Sequence, residues 1–143
     1  MSFTNRISQA LHEEHRATVA LVERLEALLA GYRHGPPDVG TAGVVPLLAD
    51  LAAGLETEVW RHFDFEESSL FAYLEEGGDQ AIGAHLLEEH AVIRPIGADL
   101  AKLAREATAQ GFDAARWSAF RRLGQDFCQR ILAHVQKEEA ALL

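Results

Sequence analysis

The chain has one cysteine, Cys128, in 143 residues, so it can form no internal disulfide, and a reducing, cytoplasmic setting is expected. It is also short of positive charge: 13 Lys and Arg stand against 22 Asp and Glu, a formal net charge of −9. That deficit argues against a nucleic-acid partner, whose phosphates need clustered cations, and against binding to an anionic membrane surface. Long apolar runs are missing as well. Charge-free stretches such as Thr41–Ala49 fall far short of the roughly 20 residues that cross a bilayer. No basic region followed by an apolar run opens the sequence, so no signal peptide is expected. No segment alternates polar and apolar at period two, so no strand is expected.

What is present is helical patterning. Apolar residues make up 48% of the chain, enough for one domain over residues 1–143 with a real core. Four segments carry them at helical spacing. The first, from about Asn5 to Gly31, has the stripe Leu11, His15, Thr18, Val22, Leu25 and Leu29. The second runs from about Val44 to Glu76, with Leu48, Leu51, Leu55, Val59, His62, Glu66 and Tyr73; Pro46 is tolerable in its first turn. The third, from about Asp79 to Gln110, carries Leu86, His90, Ile93, Gly97 and Leu100. The fourth starts after a candidate N-cap, Asp113, and carries Phe120, Gly124, Phe127, Ile131, His134 and Glu138. Glycines at 31, 77–78 and 111 punctuate the four, and Gly31–Gly43 is the longest loop. Short connections make neighbouring helices antiparallel, so the expected fold is all-α: an antiparallel, up-down-up-down four-helix bundle. Pro95 sits inside the third segment and removes a bond to the carbonyl of Ala91. A kink or bulge is expected there, with two separate helices as the alternative.

The sequence then says nearly the same thing twice. Glu13-Glu14-His15 is matched by Glu88-Glu89-His90, and His62-x-x-x-Glu66-Glu67 by His134-x-x-x-Glu138-Glu139. Residues i and i+4 share a helix face, so each His and Glu pair can reach one cation or two adjacent ones. The candidate metal ligands are therefore His15, His62, Glu66, His90, His134 and Glu138, all on apolar stripes that converge on the bundle axis. Buried carboxylates cost several kcal/mol each unless something positive compensates, as an order of magnitude. No Lys or Arg sits on those stripes at these levels, and a divalent pair would serve. A single histidine on an apolar stripe is commonly a satisfied core residue, but six such residues on matched levels argue for a site. His12 and His85 flank the axis and are the lesser candidates. His34 lies in the Gly/Pro loop and is expected to be solvated. Glu67 and Glu139 fall one position off the face, solvated or bonding to the ligands. Imidazole and carboxylate without thiolate suit iron, manganese or zinc.

At these residues the sequence resembles the hemerythrin-like, or HHE cation-binding, family over nearly the whole chain. The resemblance implies a non-haem di-iron centre: two iron ions, with manganese or zinc as alternatives, and a bridging oxo or hydroxo group. In that scheme His15, His62, His90 and His134 are terminal ligands and Glu66 and Glu138 bridge. Oxygen carriers of the family have a further histidine four residues before His90, where this chain has Leu86. They have an Asp five residues after the fourth-helix histidine, where this chain has Glu139, and Glu138 fits the bridging role better. The four-His, two-Glu pattern is nearer the iron–sulfur-cluster repair and iron-sensing members. The implied function is a di-iron protein that binds, reacts with or senses O2, NO or peroxide, or responds to iron or oxidative stress. The alternatives are a peroxide- or NO-scavenging or cluster-repair enzyme, and an interaction module whose stability the metal sets. No catalytic residue and no protein partner is legible.

Overall fold

The computed structural model describes residues 3–71, 76–78 and 80–142. In chain order the elements are α1 (Phe3–Gly31), α2 (Val44–Ala53), π1 (Gly54–Glu58), α3 (Val59–Phe65), π2 (Glu66–Leu70), α4 (Gln80–Gln110) and α5 (Ala114–Leu142). The run from α2 to π2 is one continuous helical rod, so four rods pack as an all-helical bundle, with no strand among the described residues.

Local chemistry sets the ends. Gly43, Gly78 and Gly111 have φ of 87°, 91° and 81°, the left-handed region that side chains disfavour. The Gly111 amide closes α4 on the carbonyl of Ala107 at 2.8 Å. Asp113 caps α5, its Oδ1 accepting the Arg116 amide at 2.6 Å. Helix α4 runs through Pro95 unbroken, so two separate helices do not form, and the bulge expected beside Pro95 is not found. Packing of α4 against both α2 and α5 holds the helix together where one backbone bond is missing. The wider π winding falls instead in the second rod, at Gly54–Glu58 and Glu66–Leu70.

Two apolar clusters fill the interior. The larger includes Leu25, Leu48, Leu51, Leu55, Ile93, Leu100, Phe120, Phe127 and Ile131. The smaller is Leu11, Leu70, Phe71 and Leu86. The π winding at Glu66–Leu70 lets both Leu70 and Phe71 turn inward beside buried Glu66. Along every rod the buried histidines and glutamates fall at one level, and on three of the rods the smaller cluster lies beyond them. The polar layer is thereby sealed by apolar side chains near one end of the bundle. The stripe residue Tyr73 and the expected helix start Asp79 lie outside the described residues.

Candidate metal centre

Among the described residues, the six buried charged or imidazole side chains are the six that the repeat singles out: His15, His62, Glu66, His90, His134 and Glu138. They form two four-donor groups. One is His15, His62, Glu66 and Glu138; the other is Glu66, His90, His134 and Glu138; within each group the donor atoms lie within 4.8 Å of one another. Both glutamates belong to both groups, and each turns one oxygen to either side. Glu66 Oε2 faces His62 Nε2 at 3.3 Å and its Oε1 faces His90 Nε2 at 3.2 Å. Glu138 Oε2 faces His15 Nε2 at 3.9 Å, while its Oε1 lies against His134 Nε2.

The outer nitrogens are all engaged. Nδ1 of His15 bonds Glu139 at 3.0 Å, that of His90 bonds Glu67 at 3.0 Å, that of His134 bonds Glu89 at 3.0 Å, and that of His62 bonds Glu14. An ionised carboxylate only accepts, so each Nδ1 carries the proton and each neutral ring turns an Nε2 lone pair inward. The four outer glutamates form a closed ring around the bundle, each holding a histidine of the next rod. This is the carboxylate–histidine arrangement that fixes ring orientation and raises ligand basicity.

Among the described residues the interior consequently presents acceptors and no donors. His15 Nε2, His62 Nε2 and all four oxygens of Glu66 and Glu138 are buried without a hydrogen bond. The Nε2 atoms of His90 and His134 face each other at 3.0 Å, two lone pairs if both Nδ1 atoms hold protons. Such an arrangement is stable only with positive charge in its midst. Protons meet the need only in part. Burial lowers the pKa of His62, but Glu66 and Glu14 outweigh it and the net shift is upward, so a proton on His62 can offset Glu66. Burial also raises Glu66, yet His62 and His90 bring its pKa down overall. His134, by contrast, is pushed by burial down to about 4, and its neutral ring gives Glu138 nothing. His15 is lowered by burial too. The chemistry of this donor set fits divalent cations, and either four-donor group could hold one.

The two lesser candidates stand apart from both groups. His12 is exposed and bonds Glu139 at 2.9 Å. His85 is exposed and accepts from Lys137 Nζ at 3.1 Å. His34 is exposed, as expected. Glu67 and Glu139 are not free in solvent but bond His90 and His15. The roles of Glu14 and Glu89 went unread in the sequence, although the doubled glutamates of each Glu-Glu-His were the available signal.

A helical bundle with a buried, donor-free cluster of imidazoles and carboxylates defines a class: cation-binding bundles. The comparison with known families narrows it. Residues 6–143 match the hemerythrin HHE cation binding domain, and the chain belongs to that family. No curated protein and no solved structure matches the chain.

Proposed function

We propose that this protein is a dinuclear non-haem iron protein, a single domain over residues 1–143, that binds or senses a small ligand such as O2, NO or peroxide. The observation that carries the reading is the set of Nε2 and carboxylate lone pairs turned on two shared points with no donor among them. The six residues act as ligands: His15 and His62 to one ion, His90 and His134 to the other, Glu66 and Glu138 to both. Iron is favoured over copper(I) and structural zinc because imidazole and carboxylate are harder donors than thiolate, and the lone Cys128 lies in the apolar core. Four protein donors per ion leave coordination positions for a bridging group and a small ligand. Once bound, the iron pair supplies the redox and ligand chemistry. The chain's own part is to hold the rings by their Nδ1 atoms, and to keep bulk water away with Phe63, Leu11, Leu70, Phe71 and Leu86.

The up-down-up-down order belongs to the same reading. It is supported by contacts that join His15 and Leu29 of α1 to Glu139 and Gly124 of α5, and Tyr32, just past the end of α1, to Trp117. The family's small-ligand chemistry supports a sensing or reacting role under iron or oxidative stress in the cytoplasm.

The test is metal analysis of protein purified without added metal, with an absorption spectrum. Two irons per chain with near-ultraviolet charge-transfer bands support the reading, and stoichiometric zinc without iron overturns the metal assignment.

A further inference from the structure

At the pole of the bundle away from the polar layer, arginines gather that the fold leaves uncommitted. In a chain with a formal net charge of −9 this is a local reversal of sign. Arg33 and His34 follow the end of α1, and Arg121 and Arg122 lie near the start of α5. With Pro36 and Trp117 they line a cavity of about 450 Å³, and no Asp or Glu is among its lining residues. Along α5, Arg121 and His134 are about 20 Å apart at the rise of an α-helix, so the cavity is separate from the histidine–glutamate layer.

Other cations of the chain meet carboxylates. Arg24 pairs with Asp50, Arg105 with Glu56 and Arg130 with Asp126, each at 2.8 Å, and Arg116 with Glu106 at 3.6 Å. Among the described residues Arg33, Arg121 and Arg122 make no ion pair. Two nearby carboxylates are engaged by backbone: Asp113 accepts the Arg116 amide at 2.6 Å, and Asp38 the Gly40 amide at 2.7 Å. Glu26 lines the adjoining cavity with Arg33 and Arg121 but pairs with neither. Arg121 is also held in place. Its Nη1 donates to the Arg33 carbonyl at 3.0 Å, while its Nε is buried with no hydrogen-bond partner. A buried donor without an acceptor is costly, and like charges around one cavity repel; an anion relieves both.

We propose that this cavity binds a dianionic phosphate group, free or carried by a small molecule. A guanidinium presents a planar fork of N–H donors that matches phosphate oxygens, and three of them call for more charge than a single carboxylate brings. Ser118 and Gln125 line the same cavity and add neutral donors. Trp117 and Pro36 form an apolar wall beside them, suited to an organic body on the phosphate. The volume is that of a small-ligand pocket. A long polyanion is disfavoured, because the acidic surface beyond the cavity repels it. Nothing in this argument depends on the metal centre.

The experiment is titration calorimetry of the metal-loaded chain at about 0.15 M salt, where surface charges are screened beyond about 8 Å, with phenyl phosphate, inorganic phosphate and benzoate as probes. Saturable binding of both phosphates, each tighter than benzoate, is expected. Tighter phenyl phosphate assigns the site to a phosphorylated small molecule, and equal affinities assign it to free phosphate. Arg33→Gln combined with Arg122→Gln should weaken binding roughly tenfold or more. Both side chains are exposed, so the variant keeps the fold, which circular dichroism verifies. Arg61→Gln removes the same charge beside His62 and should leave the affinity unchanged. In NMR spectra the amides that move on adding phenyl phosphate should be those of Arg33–Pro36 and Ala114–Gln125. No binding at millimolar phosphate, an unchanged Kd in the double variant, a loss of affinity with Arg61→Gln, or a single-stranded oligonucleotide binding more tightly than phenyl phosphate overturns the proposal.

Discussion

Glu138→Gln is expected to move stability in opposite directions with and without metal. The Glu138 side chain is 0% exposed and neither of its oxygens receives a hydrogen bond. Its nearest neighbour, His134, spends its Nδ1 proton on Glu89 and, with a pKa pushed down to about 4 by burial, holds no second proton at neutral pH. Glutamine keeps the shape, removes the charge and offers an amide N–H to His134 Nε2. Leaving a buried polar group unsatisfied costs roughly 1–3 kcal/mol, and more if it is charged. The metal-free variant should therefore gain about 1–3 kcal/mol, and at about 3–4 °C per kcal/mol for a chain of this length its Tm should rise by roughly 3–10 °C. With metal the sign reverses, because a carboxamide bridges two cations poorly. A site filled at a free metal concentration of 100 times Kd contributes about 2.7 kcal/mol, so two sites give the wild type about 5 kcal/mol and a Tm shift of about 15–20 °C. The variant should show half of that or less. Thermal melts followed by circular dichroism, in chelator and at matched free metal, read both effects. A metal-free variant that melts below the metal-free wild type, or a loaded variant with the full shift, refutes the reasoning.

Three further outcomes follow from the same geometry. Gly83→Ala and Gly97→Ala make the same change in one helix with different results. Among the described residues a Cβ at Gly83 meets nothing closer than 3.6 Å, whereas at Gly97 it lies 2.7 Å from the Trp60 ring, so Gly97→Ala should be about 1–3 kcal/mol less stable than Gly83→Ala by denaturant melts. Equal melts refute the close packing of Trp60. In metal-free protein His134 should titrate by NMR with a midpoint near 4, against an ordinary histidine value of 6.5. Because the fold lowers this pKa, its contribution to stability is whole above pH 6.5 and is lost as pH falls towards 4; a midpoint near 6.5 contradicts the burial argument. Cys128 is buried and its thiol is pushed up to about 12 by burial, so thiol reagents should modify it at the rate of unfolding; rapid labelling of native protein contradicts this.

The sequence made the scaffold and the six inner residues legible because both leave local traces. Glycines at 31, 78 and 111 mark helix ends whatever the tertiary context, and Asp113 caps by contacts within one turn. The histidines and glutamates announced themselves by lying on apolar stripes, a conflict between residue type and position that a cation resolves. What stayed hidden depends on register between rods. That Glu14 serves His62 and Glu89 serves His134 follows from how neighbouring helices slide against each other, which no spacing within a helix encodes. The π windings are likewise a tertiary effect. Glu66–Leu70 winds wide, and Glu66, Leu70 and Phe71 are all turned inward there, a packing demand with no composition signal. Pro95 was legible in part: the continuous helix expected through it forms as α4, and packing on two sides holds that helix where the proline removes a backbone bond.

The most direct measurement is anomalous diffraction from crystals of the iron-loaded protein, recorded on both sides of the iron edge. The account expects two peaks within the polar layer, one between His15 and His62 and one between His90 and His134, each in contact with Glu66 and Glu138. Peaks elsewhere on the chain, or the six side chains closed on one another around no ion, would contradict it.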